Sequence, residues 1–142
     1  MTREDRDVEI EDYVRYLDAV HQAVTTGFPA TPVQVLGFSQ GCATACRWVE
    51  RGRLHPARLI LWGGEIPPDL DWSRARPRLA GVPVVLVAGS GDRYVPPDAL
   101  TQFGALLALN GVRHTVVRFM GGHEIDPATL RELAGHPEER VL

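Results

Sequence analysis

Two short stretches constrain this chain more than any other feature. Residues 59–62 read Leu-Ile-Leu-Trp and residues 83–88 read Pro-Val-Val-Leu-Val-Ala, with no polar side chain in either. A strand that alternates apolar and polar residues has one wet face, whereas a strand with no polar residue must be covered on both. Such strands belong to parallel sheets, whose crossover connections lay helices over each face. The rest of the chain supplies those connections. Thr2 and Asp5 form a capping-box pattern, and Ile10, Val14, Leu17, Val20 or His21, and Val24 recur at helical spacing. They predict a helix over 3–26, closed by Gly27, Pro29 and Pro32. A strand over 33–37 and a small-residue helix over 40–51, closed by Gly52, precede the 59–62 strand. Residues 65–79, with Pro67, Pro68 and Pro77, read as a loop-rich stretch. After the 83–88 strand come a helix over 97–110 stopped by Asn110-Gly111 and a strand over 114–119. A last helix has Asp126 at its N-cap and Pro127 at its first position. The expected fold class is α/β, a three-layer parallel sheet of about four strands with helices on both faces.

In a parallel sheet the chemistry gathers beyond the C-terminal ends of the strands, so the residues following each strand matter most. Gly37-Phe38-Ser39-Gln40-Gly41 follows the first strand. A serine with a glycine two positions to either side, at a sharp strand-to-helix turn, has its hydroxyl lifted above the sheet. Gly37 and Gly41 are expected at this elbow because side chains there would clash. Gly89-Ser90-Gly91-Asp92 follows the third strand, where Asp92 either orients an imidazole or makes an Asx turn. Gly121-Gly122-His123 follows the fourth. Of five histidines, only His123 follows a strand inside a glycine loop. His21, His55, His114 and His136 read as packed or solvated. Ser39, Asp92 and His123 therefore fall at strand ends in the chain order of an α/β-hydrolase triad. A serine hydroxyl is a poor nucleophile without a base, His123 would be that base, and Asp92 would hold its tautomer. The backbone N–H of Gln40 would donate to the oxyanion.

Composition excludes several other classes. The net charge is −3 and lysine is absent, so nucleic acid is not an expected partner. No apolar run approaches the roughly 20 residues that a membrane span needs, and the charged N-terminus is no signal peptide. Cys42 and Cys46, four residues apart on one helix, read as buried free thiols rather than a disulfide or metal pair. No metal motif, P-loop or G-x-G-x-x-G occurs, so no cofactor or metal is expected. The expected setting is cytoplasmic.

GFSQG, AGSGDRYVP and FMGGHEI together resemble the phospholipase/carboxylesterase family of α/β-hydrolases, along almost the whole chain. The resemblance implies a Ser39–His123–Asp92 triad and a serine hydrolase of carboxylic esters, with lysophospholipase or acyl-thioesterase activity as variants. It also implies that residues 1–142 are one α/β-hydrolase-like domain without the family's first four strands and without the His-Gly loop that supplies a second oxyanion donor. The 33–37 strand would then be an open sheet edge, and the chain either a homodimer through that edge or poorly stable. Phe38, Ile66, Leu70, Trp72 and Met120 are expected to wall an acyl pocket for a small ester. The alternative reading is a truncated, non-catalytic fragment, serving as an interaction module or an incomplete gene product. Peptidase chemistry is a further variant, since a triad alone does not name its substrate.

Overall fold

The two apolar runs lie at the centre of the molecule. The computed structural model describes residues 1–135. Along them follow α1 (Arg3–Thr25), β1 (Gln34–Phe38), α2 (Gln40–Arg51), β2 (Arg58–Trp62), α3 (Trp72–Leu79), β3 (Val84–Gly89), α4 (Ala99–Leu109), β4 (His114–Phe119) and α5 (Pro127–Gly135). The strands form one sheet in the order β1-β2-β3-β4, and every neighbouring pair is parallel. Every residue of β2 and β3 is buried. Even Arg58 is spent internally, on the Gln34 side chain at 2.9 Å and the Leu133 carbonyl at 2.6 Å.

Alternate side chains feed the two faces. Val35, Leu59, Leu61, Val84 and Leu86 pack under α2, α3 and α4. Ile60, Trp62, Val85 and Val87 face the other way, onto Phe119, Ile125 and the α5 residue Leu133. Full burial of a side chain such as Leu86 stabilises by about 1.5–3 kcal/mol, so this double-sided packing dominates the fold. β1 is an edge strand whose Leu36 stays 39% exposed. The helix caps follow the sequence. Thr2 and Asp5 complete the capping box, and Asp126 accepts from both the Thr129 N–H and its hydroxyl.

Two expectations need correction. The stretch over 65–79 is not all loop, because it ends in α3. Asp71 caps that helix through Ser73 N, and Pro77 sits inside it. A proline there removes one helical hydrogen bond, so the helix stands on tertiary contacts. Ala75 and Leu79 are buried, and Arg78 donates to the carbonyls of Val49, in the last turn of α2, and of Gly52 and Leu54 just beyond it. The second correction concerns α1. Ile10 and Val14 are buried as expected, but Val20 and Val24 are exposed. α1 has 23 residues against 12 in α2. Asp18 receives Trp48 Nε1 and Arg53 N near the end of α2, and the apolar stripe runs on past that point.

Candidate active site

Serine 39 occupies a backbone conformation that its type rarely takes. It has φ 56° and ψ −120°, the one positive φ outside glycine among the described residues. Such a conformation costs roughly 1–3 kcal/mol and persists only where its surroundings hold it. Here they do. Ser39 N donates to the Trp62 carbonyl at 2.8 Å, and Cys42 N donates to Ser39 O at 3.0 Å. A Cβ on Gly37 would lie 2.9 Å from Cys42 Cα and 2.7 Å from the Gly41 carbonyl carbon, so glycine is required at that position. Gly41 differs from expectation, since a Cβ there would meet nothing within 4 Å. The crowding falls instead on Gly64, after β2, where a Cβ would sit 2.6 Å from Cys42 Sγ and closer still to Ser39 O.

Three loops bring three side chains into line. Ser39 Oγ lies 2.9 Å from His123 Nε2, and His123 Nδ1 lies 2.9 Å from Asp92 Oδ2. A carboxylate only accepts, so Nδ1–H donates to Asp92, and Nε2 is left to accept the Ser39 hydroxyl proton. Asp92 is 8% exposed, and its other oxygen, Oδ1, takes the Tyr94 N–H at 2.8 Å. The Asx turn and the imidazole contact, posed as alternatives by the sequence, therefore coexist, one oxygen to each. The β3 and β4 loops are stitched together by Gly91 N to Gly121 O at 2.9 Å and Ser90 N to Phe119 O at 2.8 Å. A Cβ on Gly89 would meet the Gly122 carbonyl oxygen at 2.5 Å, so this seam needs glycine too. The His123 ring lies between Phe38 and Tyr94, with centroids at 5.0 Å and 4.7 Å.

This arrangement can move a proton from a hydroxyl to an imidazole that a carboxylate holds in one tautomer. Gln40 is the first residue of α2, where a helix leaves its N–H without an intrahelical acceptor. Ser39 opens onto a cleft of about 780 Å³, walled by Ile10 and Tyr13 of α1, Thr44 of α2, and Val95, Pro96 and Phe103. Below the elbow, burial pushes the Cys42 thiol up to about 12, and Cys46 is pushed up by burial as well. Among the described residues, no group of three or more His, Cys, Asp or Glu side chains is placed to hold a metal ion. No described helix is long and apolar enough to cross a membrane.

The acyl-pocket expectation is largely displaced. Ile66 and Leu70 are buried in the core beneath α2 and α3, and Trp72 packs against the same cluster. Met120 is 96% exposed and stands in solvent. Phe38 does lie at the site, but against the face of His123. The cleft walls from α1 and from residues 94–96 carry no local mark of facing a serine, α1 because it lies far from any strand end and residues 94–96 because nothing in their sequence separates a cleft wall from an ordinary loop. Among the other histidines, His21 packs edge-on to Trp48 and His114 sits against Gly104. His136 lies outside the described residues.

A family model described as Phospholipase/Carboxylesterase matches residues 3–138. Several solved structures share the fold. SOBER1 of Arabidopsis thaliana is 19% identical with TM-score 0.69, over 94% of this chain and 65% of that one. The esterase PE8 is 24% identical with TM-score 0.68, over 92% of this chain and 61% of its own. The Bacillus cereus carboxylesterase is 12% identical with TM-score 0.68, over 94% and 63%. The chain thus spans somewhat under two thirds of the length of these structures. No curated protein sequence matches it significantly.

Proposed function

Since the chain belongs to the phospholipase/carboxylesterase family, we propose that it is a serine hydrolase of carboxylic esters. One observation carries the reading: the continuous Ser39–His123–Asp92 hydrogen-bond line, with 2.9 Å at each step, behind a serine in a strained turn. In this reading His123 Nε2 takes the Ser39 proton as Oγ attacks the ester carbonyl. The tetrahedral oxyanion accepts from Gln40 N–H at the positive end of α2, a kind of contact worth about 10²–10³ in rate. His123 then protonates the departing alcohol, and in the second half activates the water that releases the acid from Ser39. Asp92 holds the ring throughout and stabilises the imidazolium. The substrate is a small-molecule ester, for which the 780 Å³ cleft has room. Long-chain lysophospholipid and acyl-thioester variants use the same steps.

Residues 1–142 act as one α/β-hydrolase-like domain in this reading. Copies pair through the open β1 edge, which among the described residues has a strand partner on one side only, and which carries an exposed Leu36. A cytoplasmic setting is supported by two free, buried thiols. Light scattering on the purified chain should give a dimer mass, and a stable monomer would refute the pairing.

The test of activity is hydrolysis of p-nitrophenyl acetate and butyrate, with Ser39→Ala as control. Turnover that falls to background in Ser39→Ala is expected, and equal turnover in both proteins would refute the reading. A second reading, a non-catalytic module, rests on the incomplete span of its structural relatives. It is favoured instead if the folded parent shows no turnover of either ester.

A further inference from the structure

We infer that Cys42 is a positioning residue whose S–H, aimed at the Gly37 and Trp62 carbonyls, holds the turn that directs the Ser39 hydroxyl at His123. The inference rests on the reading of Ser39 as nucleophile. Cys42 is 0% exposed, with Sγ 3.2 Å from Gly37 O and 3.4 Å from Trp62 O. These are not arbitrary acceptors. Gly37 O belongs to the last residues of β1 before the turn, and Trp62 O also receives the Ser39 N–H at 2.8 Å. The thiol therefore bridges the ends of two strands under the residue that must stay at φ 56°.

There is no slack around it. Gly64 leaves the only clearance that its own backbone position allows, since a Cβ there would approach Cys42 Sγ to 2.6 Å and Cys42 Cβ to 2.8 Å. Burial keeps the sulfur protonated, so it donates rather than carrying charge. A buried cysteine is ordinarily a small apolar filler. Cys46, one turn further along α2, is such a filler: it is also buried in the core, and it is too far along the helix to reach either carbonyl through the same turn. It serves as the internal control, because a packing role and a positioning role separate at these two sites.

The experiment compares Cys42→Ala, Cys42→Ser and Cys46→Ala with the parent. The readouts are kcat and KM for p-nitrophenyl acetate and hydrogen exchange at the Ser39 amide. An S–H donor is weak, so Cys42→Ala should lower kcat about 3–10-fold with KM unchanged. It should also speed Ser39 amide exchange by a similar factor, and Cys42→Ser, which keeps a donor, should restore most of both. Cys46→Ala should lower thermal stability and leave both site readouts at parental values. Equal effects of the two alanine variants on kcat and Ser39 exchange would overturn the inference, as would a folded Cys42→Ser no better than Cys42→Ala. If the parent proves inactive, the ester-hydrolase reading falls, and Ser39 exchange alone then decides the role of Cys42. Should Cys42→Ala not fold, the parent's Raman S–H bands decide. A hydrogen-bond-shifted band that disappears in Cys42→Ser supports the inference, and its absence from the parent overturns it.

Discussion

The glycine after β2, rather than the last glycine of the serine motif, should prove the sensitive one. Consider Gly64→Ala beside Gly41→Ala. A Cβ on Gly64 would lie 2.6 Å from Cys42 Sγ, 2.8 Å from Cys42 Cβ, and nearer still to the Ser39 carbonyl oxygen. Ordinary contact begins near 3.4 Å, so the elbow must move by about 1 Å to admit one methyl group. The obstructing atoms are backbone and the root of a buried side chain, which cannot swing aside. Overpacking of this kind costs about 1–3 kcal/mol of stability. Its effect on the site is larger, because a 1 Å misplacement of a reacting group can cost about 10²-fold in rate. Gly41 lies inside α2 with open space where a Cβ would go. Alanine there should be neutral or stabilise by up to about 1 kcal/mol, through better helix propensity. The assay is ester turnover together with a urea melt for each variant. Gly64→Ala should be nearly inactive and less stable, while Gly41→Ala should keep turnover within about threefold of the parent, the spread of a surface-like change. A fully active Gly64→Ala, or an inactive but folded Gly41→Ala, would refute the reasoning.

Asp92→Asn keeps an acceptor for Tyr94 N but reverses the donor at His123 Nδ1, so kcat should fall about 10³–10⁴-fold with little change in KM. Arg78→Ala leaves the Val49, Gly52 and Leu54 carbonyls without their shared donor and should cost about 2–3 kcal/mol in a urea melt, with α3 the first element to lose amide protection. Acid should also destabilise the fold. The Arg47 side-chain hydrogen bond holds Asp69 below its ordinary value, and contacts with Ser73 and Thr129 do the same for Asp71 and Asp126. Lowered carboxylates contribute stability that is complete above the ordinary aspartate value of 3.8 and lost as pH falls through the native values. Glu50 works in the opposite sense, because burial raises it, and acid relieves the cost of its charge. Asp5, held low by the backbone and side-chain contacts of its capping box with Thr2, is a fourth lowered carboxylate. Four against one, the urea midpoint should drop between pH 7 and pH 3, and an unchanged midpoint would contradict this balance.

How far the sequence discloses such a molecule depends on whether the signal is local. Strands β2 and β3 are legible because fully apolar runs have one home, the middle of a covered sheet. The site is legible to the same degree, because in a parallel sheet a strand end is a position in space as well as in sequence. Ser39, Asp92 and His123 are each marked by a strand and a glycine turn, and the sheet alone brings them within reach. Residues fixed by distant partners are not marked. Helix α3 contains a proline and few apolar residues, and what holds it is Arg78 reaching carbonyls more than twenty positions away. Ile66, Leu70 and Trp72 follow a strand as cleft residues would, and nothing local separates a cleft wall from a core. Gly63-Gly64 reads only as the end of β2, yet Gly64 supports the elbow from a neighbouring loop. Gly41 is the converse case, a motif position whose local pattern suggests a crowding that the packed elbow does not contain.

The central claim is that Ser39 is the nucleophile. The most direct measurement is intact-mass and peptide mapping of the folded parent after treatment with a fluorophosphonate, which bonds to an activated serine. A single adduct on Ser39 is expected, abolished in Ser39→Ala and strongly slowed in His123→Ala. An adduct on another residue, or a folded parent that takes up none, would contradict it.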